Sequence, residues 1–520
     1  MAAGLKTRSA KDHDDLDPFA DDPGPCPFAR VMCKQVMLSG KQEAQALTEV
    51  APFIEWGVAH TDPLPILVVL KAGQARRVFE MLKRIKISGY KSLRNIQVEL
   101  KPLSVLFGPN GAGKSNFLDA LQLLSKLATS RTLQDAFAPP YRGKPLESFS
   151  FGPEGVKGLL GSERQSFSIE VDVELSPVVI DAVNRQIREM KRISPAEESN
   201  DTSLSRKLAR VTEPALRYRI EVEILPKSGL LRVSDEYLTA LNRKGEPTGK
   251  RKPFLERVGD RLHLRMEGQA HPTYYERHLD HSLLSRPNYP PHYPHLVAMR
   301  QELESWFFFY FEPRERMRAA GPVKEVRHIG LMGEELAAFL NTLKAVDAPQ
   351  FRAVEKALHT ILPNVEGIEV DVDELGEVDL KLRENGVLVP ARLLSEGTLR
   401  VLGLLALAGA KEQPSLIGFE EPENGIHPRR IQLVAELLKT RVSLGETQYV
   451  VTTHSPLLPD LMPDDSLLVC QRSPEGETLI EPFSVWGPLG KRAGIDGSLM
   501  EAGEEGLTVS ERLLRGDFDA

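Results

Sequence analysis

The sequence predicts an α/β fold that carries a glycine-rich loop at one end of a parallel sheet and contains a large mixed α+β insertion. Three observations lead to this prediction. A glycine-rich motif at residues 108–115 lies between a short apolar strand and an amphipathic helix. A second apolar strand, at residues 416–421, ends in two carboxylates. Finally, 287 residues separate Gly108 from Ser395, where a later helix begins, and this is enough chain for further folded units.

The composition is that of a globular protein. The 520 residues correspond to about two to four domains, and 41% hydrophobic with 27% charged residues exclude wholesale disorder. A net charge of −7 excludes a globally basic nucleic-acid binder but leaves room for a local basic patch. Three cysteines exclude a disulfide scaffold, and the apolar run Leu64–Leu70 is too short to cross a membrane. We therefore expect a soluble, cytoplasmic protein that does not bind membranes.

The N-terminal part of the chain differs from the rest. Asp12–Pro25 is rich in Asp, Pro and Gly and is expected to be disordered. A new unit starts at Met81, because residues 82–87 alternate apolar and basic side chains as a half-buried strand does. The predicted segments are an N-terminal extension (1–80), the first part of the phosphate-binding lobe (81–175), an insertion and helical region (176–390) and the second part of the lobe (391–520).

Apolar periodicity predicts the remaining elements in order. Strands are expected at Ile96–Leu100, Leu103–Phe107, Ser166–Leu175, Leu216–Leu225, Ile368–Asp373, Val378–Arg383 and Gln448–Thr452. Helices are expected at Lys114–Leu127, Val178–Arg192, Leu336–Leu343, Phe351–Leu362 and Val401–Ala410. Residues 131–165 are expected to be irregular, and residues 193–206 are expected to form a mobile loop. The sequence contains no sustained heptads, so no coiled coil is expected.

The residues Gly108–Ser115 match the phosphate-loop pattern GxxxxGK[ST]. In this pattern glycines let backbone N–H groups curl around phosphate oxygens. Lys114 can reach the β- and γ-phosphates, the Ser115 hydroxyl can bind Mg²⁺, and the helix beginning there directs its positive end at the same anion. An ordinary glycine-rich turn is the alternative, and the flanking strand and helix make it the poorer interpretation.

Two carboxylates and a histidine follow the later strands. Glu420 suits Mg²⁺, directly or through water, and Glu421 could orient and deprotonate an attacking water. A solvated acidic pair would be the better interpretation if the two stood alone. His454 follows the strand Gln448–Thr452, at the strand end where α/β sheets bind ligands. It could bond the γ-phosphate or the attacking water, or it could be structural.

Ser395 and Gly397 precede a strongly apolar helix. At a helix N-terminus they would form a second anion-binding edge. The alternative is a plain N-cap, with Ser395 satisfying the first-turn amides of the helix.

In this order the motifs resemble those of the ABC-type ATPases of the RecF/SMC/OLD branch, most closely the prokaryotic "AAA family ATPase" group. The resemblance covers roughly residues 81–518. The similar segments are Ile87–Leu93 (opening strand and turn), Gly108–Asn116 (Walker A), Leu394–Leu399 (signature motif), Phe419–Pro428 (Walker B and D-loop) and Thr452–Pro456 (switch histidine). Trp306–Pro313, with Met317 and Arg318, is similar to a segment of that group with no assigned role.

The resemblance implies a P-loop NTPase with an ABC-ATPase-like head that binds ATP and Mg²⁺ and hydrolyses ATP slowly. It implies Glu421 and His454 as catalytic residues and Ser115 and Glu420 as magnesium ligands. The ATP-binding residues that it implies are Gly108, Asn110, Gly111, Gly113, Lys114, Ser115, Asn116, Ser395 and Gly397. It also implies a homodimer that sandwiches two ATP molecules, in which Ser395 and Gly397 of one protomer touch the γ-phosphate held by Lys114 of the other.

Two positions differ from the motifs of transporters, and a third motif residue has no assigned position. Glu420 stands where transporters carry Asp, and Thr398 replaces the signature Gln, both as in the resembling branch. The Q-loop glutamine has no clear position, with Gln134 and Gln165 as weak candidates. No motif reads adenine, so the sequence does not separate ATP from GTP.

The implied function is an ATP-dependent switch in DNA repair or anti-phage defence, with double-stranded DNA and a separately encoded effector as partners. The alternative is a non-catalytic ATP-dependent scaffold for a protein partner. The long insertion disfavours a transporter subunit, the lack of heptads disfavours an SMC-type tether, and the 66 residues after His454 leave little room for a fused nuclease. Lys250–Lys252, with Arg243 and Lys244, could contact DNA phosphates, but we favour a solvated loop there and an exposed helix face for Arg185–Arg192.

Overall fold

The computed structural model describes residues 81–191, 210–249, 251–267, 269, 271–410, 413–486 and 508–518. All of them belong to one compact unit. The predictions of disorder at Asp12–Pro25 and of a loop at 193–206 fall outside the described residues, as does Lys250.

The described residues form 18 strands and 11 α-helices. The strands are β1 (Leu82–Tyr90), β2 (Leu93–Glu99), β3 (Leu103–Phe107), β4 (Gln165–Glu174), β5 (Ala215–Leu225), β6 (Leu230–Ala240), β7 (Leu255–Val258), β8 (Arg261–Arg265), β9 (Pro272–Glu276), β10 (Trp306–Phe309), β11 (Gly321–Pro322), β12 (Val365–Val372), β13 (Glu377–Glu384), β14 (Val387–Pro390), β15 (Leu416–Glu420), β16 (Gln448–Thr452), β17 (Leu467–Arg472) and β18 (Thr478–Pro482). The α-helices are α1 (Lys114–Thr129), α2 (Leu133–Ala136), α3 (Gly155–Gly161), α4 (Pro177–Met190), α5 (Pro294–Glu304), α6 (Leu336–Val346), α7 (Ala348–Ile361), α8 (Glu396–Gly409), α9 (Pro428–Ser443), α10 (Leu457–Asp460) and α11 (Val509–Arg515).

A six-stranded sheet carries the glycine-rich motif. Its order is β10–β15–β16–β3–β17–β18, parallel except for β18. The central strands read as nearly continuous apolar runs because both faces are covered, and β3 and β16 are buried along their whole length. Glu420 pairs with Thr452, and Thr452 pairs with Leu106. The carboxyl ends of β15, β16 and β3 therefore lie side by side at one edge.

An eight-stranded antiparallel sheet, in the order β2–β1–β4–β5–β6–β7–β8–β9, forms the second layer of the fold. The alternating pattern of residues 82–87 is confirmed as the start of β1, where Leu82, Ile85 and Ile87 are fully buried. The same sheet contains strands from both sides of residue 176, since β4 and β5 pair along ten residues of each strand. The core under it includes Tyr90, Phe117 and Phe167.

A third sheet, in the order β11–β13–β12 with β14 paired to β13, packs with helices α6, α7 and α8 around a second core. The predicted strand pair at 368–373 and 378–383 is confirmed as β12 and β13, which are antiparallel. α8 is buried along most of its length, as its apolar sequence requires. Every helix within the described ranges is too short or too polar to cross a bilayer.

Candidate nucleotide-binding site

The sheet edge formed by β3, β15 and β16 brings together the motifs that the sequence singled out. The glycine-rich loop leaves β3, Glu420 ends β15 with Glu421 next to it, and His454 follows two residues after β16. Two hydrogen bonds extend the ladder past the strands, from Glu421 N to Thr452 O (2.9 Å) and from Thr453 N to Leu106 O (3.0 Å). The site therefore lies where parallel sheets bind their ligands.

The loop Gly108–Ser115 has the features of an anion cradle. Gly113 has a φ of 110° and is the N-cap of α1, with no side chain bonded to the first-turn amides and no acidic residue in that turn. Lys114 is buried and its Nζ donates to the carbonyl oxygens of Gly108 (2.7 Å) and Pro109 (2.9 Å). Asn110 and Gly111 are exposed at the tip of the loop. These residues fit a bound triphosphate.

A network of side-chain hydrogen bonds joins the loop to β18 and to the β1–β2 turn. Thr478 Oγ1 donates to Ala112 O (2.8 Å) and is bonded to Ser92 Oγ (2.7 Å). Asn116 Nδ2 donates to the same Ser92 oxygen (2.8 Å). The side chain of Asn116 is therefore directed at the β1–β2 turn, so a contact with nucleotide would come from its backbone.

We expect Gly113→Ala to destabilise the protein and to weaken ATP binding. A Cβ at Gly113 would come within 2.1 Å of Thr478 Oγ1, on a backbone that L-residues rarely adopt. Strain and overlap together should cost on the order of 2 kcal/mol or more, seen as a thermal midpoint lowered by roughly 2 °C or more. Gly152→Ala, where a Cβ would meet open space, is the matched control. Equal midpoints for the two variants would contradict the prediction.

Ser115 and Glu420 form a potential metal-binding pair. Ser115 Oγ donates to Glu420 Oε1 at 2.5 Å, so a hydroxyl and a carboxylate converge beside the loop. Both are hard oxygen donors of the kind that Mg²⁺ uses with phosphate oxygens and water. The donor set therefore fits a magnesium ion held together with a nucleotide.

Arg142 lies next to this pair and was not predicted from the sequence. Its guanidinium contacts both carboxylate oxygens of Glu420, each at 3.2 Å, and donates to Asp119 Oδ1 at 2.9 and 3.1 Å. Asp119 is buried on α1, and it also pairs with Lys91 Nζ (2.8 Å). No local pattern marks Arg142, because it stands in a segment that reads as irregular and its partners are distant in sequence. The two candidates for the Q-loop glutamine have other surroundings. Gln134 is exposed on α2, and the Gln165 side chain donates to Ser162 Oγ.

Glu421 is held by two side chains. His454 Nε2 lies 3.0 Å from Glu421 Oε1, and Asn424 Nδ2 donates to Glu421 Oε2 at 3.1 Å. Glu421 also has a φ of 50°, a left-handed conformation that is costly for a residue with a side chain. Strain of this kind concentrates at functional positions, and the carboxylate is oriented enough to direct a water molecule.

Burial sets the ionisation of the two basic groups. It lowers the pKa of Lys114 to about 8, although Cys470, Glu421, Glu420 and Glu423 act in the opposite direction. The pKa of His454 is lowered by burial and by the charge of Lys114, against the effect of Glu421 and Glu420. The lowered pKa favours the neutral imidazole, whose Nε2–H tautomer can donate to Glu421 Oε1.

Gly397 lies against the D-loop of the same chain, and Ser395 is the N-cap of α8. Ser395 Oγ accepts from Thr398 N (3.1 Å), so the plain N-cap interpretation describes its contacts here. A Cβ at Gly397 would come within 2.4 Å of Gly425 O, which explains a glycine at this position by close packing alone. Arg400 and Glu423, to which the sequence assigned no role, bury an Nε and an Oε2 that lack hydrogen-bond partners among the described residues.

One residue of the basic stretch considered for DNA contact, Arg251, makes contacts within the fold. Arg251 donates to Glu267 Oε2 (2.6 Å), and its guanidinium lies 4.5 Å from the centre of the Phe254 ring. Glu267 in turn holds the buried His295. Arg251 therefore differs from the solvated loop residue favoured from the sequence, and its guanidinium is already bonded to a carboxylate.

Comparison with known proteins identifies relatives of this chain. Residues 103–460 match the model of a protein family described as "AAA domain, putative AbiEii toxin, Type IV TA system". An OLD nuclease of Thermus scotoductus is 43% identical over 44 residues, and the match spans only 8% of this chain and 8% of that protein.

Solved structures of SMC heads are also similar at low identity. The SMC head domain from Thermotoga maritima is 14% identical, with a TM-score of 0.36 over 78% of this chain and 99% of that structure. The Smc head domain with an extended coiled coil, bound to the C-terminal domain of ScpA derived from Pyrococcus furiosus, is 10% identical, with a TM-score of 0.39 over 78% of this chain and 97% of that structure.

Proposed function

The chain belongs to the AAA-domain family whose model matches residues 103–460, and it is an ATPase of the RecF/SMC/OLD type. From that premise we propose that it is a switch that dimerises around ATP and hydrolyses it. The observation that carries the proposal is the pairing of Glu421 with His454 at 3.0 Å, next to the loop that holds Lys114. A site for binding alone needs no oriented carboxylate of this kind.

Each residue has a role in this proposal. The amides of the loop and Lys114 bind the phosphates, and Ser115 and Glu420 hold Mg²⁺. A magnesium ion bound there neutralises charge on the phosphate oxygens. Glu421 accepts the proton of the attacking water, while His454 and Asn424 orient its two oxygens. Ser395 and Gly397 would complete the site of the partner protomer, as the resemblance implies.

The proposed setting is DNA repair or anti-phage defence in the cytoplasm. A family description that names a toxin of a toxin–antitoxin system, and a curated relative that is named a nuclease, support this setting. Double-stranded DNA and a separately encoded effector are the proposed partners. Because Arg251 is bonded to Glu267, the described basic residues of the stretch 243–252 that could contact DNA phosphates are Arg243, Lys244 and Lys252, which are exposed.

The proposal is tested by two measurements on the full chain. Sedimentation velocity should show ATP shifting the wild-type protein from monomer to dimer, and Lys114→Ala should remain a monomer. Steady-state ATP turnover should be slow and should rise several-fold with linear double-stranded DNA. A dimer that forms with ATP but shows no turnover above the Glu421→Gln background would instead favour the non-catalytic scaffold. Turnover that ignores DNA would shift the search to a protein partner.

A further inference from the structure

The segment that begins with β10 contacts two of the motifs. It lies beside β15, the strand that ends in Glu420, and it reaches the residues just before Ser395. β10 lies beside β15 in the six-stranded sheet, with Phe309 paired to Phe419. The chain therefore leaves β10 close to Glu420. This is the segment that the sequence singled out at Trp306–Pro313 with Met317 and Arg318, and the proposed function leaves it without a role.

The turn after β10 is held in one conformation by its own acidic residue. The Glu312 carboxylate accepts hydrogen bonds from the backbone N–H groups of Arg314 (3.0 Å), Glu315 (2.9 Å) and Arg316 (3.0 Å). The Glu312 amide donates to Met332 O (3.0 Å), which fixes the turn to the neighbouring loop. Arg318 thus projects from a preformed support.

Arg318 joins this support to the residues just before Ser395. Its Nε donates to Pro313 O (2.7 Å), its Nη1 to Arg392 O (2.8 Å) and its Nη2 to Leu394 O (2.8 Å). Such charge-assisted bonds from one planar fork specify direction as well as distance. Met317, fully buried one residue earlier, lies against Gly403 in the middle of α8, where a Cβ would come within 2.7 Å of its Cε.

The bond to Leu394 O determines where the Ser395 amide points. The C=O of Leu394 and the N–H of Ser395 belong to one planar trans peptide group, so they point in opposite directions. Because Arg318 fixes the carbonyl, the Ser395 N–H is directed away from Arg318. The same peptide group sets the entry angle of Ser395, whose Oγ caps α8.

We propose that Arg318 is a positioning residue for the signature motif, which aims the Ser395 amide and hydroxyl at the nucleotide held by the partner protomer. This inference rests on the proposed ATP-dependent dimer. Arg318 acts on the nucleotide of the other protomer and leaves ATP binding by its own Lys114 unchanged. A residue that only stabilises its own protomer would show no such asymmetry between the two protomers.

The test uses mixtures of full-length protomers with two different fluorescent labels, all carrying Glu421→Gln so that association is measured without turnover. Wild type mixed with Lys114→Ala should give ATP-dependent energy transfer, because one composite site is complete. Wild type mixed with the Lys114→Ala/Arg318→Ala double variant should associate about tenfold more weakly or not at all, since the bound ATP meets a misaligned signature motif. Arg318→Ala mixed with Lys114→Ala carries the same substitutions on opposite protomers and should associate like the first mixture.

The matched control replaces Arg318→Ala by Arg277→Ala, because Arg277 also donates to a backbone carbonyl (Ser234 O, 3.3 Å). This substitution should leave association in every mixture unchanged. If Arg318→Ala does not fold, Arg318→Lys replaces it, since lysine keeps the charge but cannot make the three-carbonyl fork. Equal association of the two mixtures that carry both substitutions would overturn the role of Arg318. If the first mixture fails to associate with ATP, the proposed dimer is wrong and this inference falls with it.

Discussion

Glu421→Gln is expected to lower the rate of ATP turnover by about 10²–10⁴-fold while ATP still binds. Glutamine has nearly the size of glutamate and keeps one oxygen that can accept from His454 or Asn424, whose nitrogens lie 3.0 and 3.1 Å from the carboxylate. Its amide cannot accept a proton from water, so only the chemical step should fail. The ATP-bound dimer should consequently live longer than that of the wild type.

The measurement is steady-state turnover, together with a separate measurement of ATP affinity in the absence of turnover. Glu436→Gln is the matched control, because Glu436 lies on α9 and pairs with Lys439 Nζ at the surface (2.5 Å). We expect it to leave both quantities unchanged. Turnover by Glu421→Gln within twofold of the wild type would mean that the base is another group. A parallel loss of ATP affinity would mean that the substitution disturbs the loop.

The sequence predicted the parts of the fold in which neighbouring residues determine the outcome. β3 and β16 were predicted at their observed bounds, and α1 extends two residues past the predicted end. Each has a strong local pattern, a buried apolar run or a 3.6-residue period after a glycine-rich turn. The predicted α/β class is confirmed, with the P-loop at the carboxyl end of a mostly parallel sheet and a large mixed α+β insertion before Ser395, and the match to the AAA-domain family agrees with it.

The parts that were missed depend on pairing between distant segments. The apolar residues of β10 are compatible with any buried strand, and only tertiary structure places them beside β15. Arg142 approaches Glu420 across 278 residues of sequence, so no local spacing indicates it. The positive φ of Glu421 is likewise imposed by the sheet edge and the D-loop, because glutamate alone disfavours this conformation. The contact of Ser395 with a partner's nucleotide stays a prediction.

ATP affinity is expected to depend on the charge of Lys114, both by mutation and by pH. Lys114→Ala should weaken ATP binding by about 10²-fold or more, since it leaves buried phosphate charge unpaired. In the wild-type protein, burial lowers the pKa of Lys114 to about 8, so the ammonium is present below that pH and lost above it. Phosphate binds the charged form, so ATP binding raises this pKa and takes up a proton. Affinity should therefore be constant below pH 8 and fall by up to about tenfold per pH unit above it.

Isothermal titration calorimetry at pH 7 and pH 9, in buffers of different ionisation enthalpy, measures both the affinity and the proton uptake. Lys114→Arg is the matched control, because its guanidinium stays charged throughout this range. Its binding should be weaker than wild type, since the longer planar group does not fit a pocket closed by Gly108 O and Pro109 O, and it should not change with pH. An affinity of the wild type that is the same at both pH values, with no proton uptake, would mean that Lys114 keeps its charge in spite of its burial.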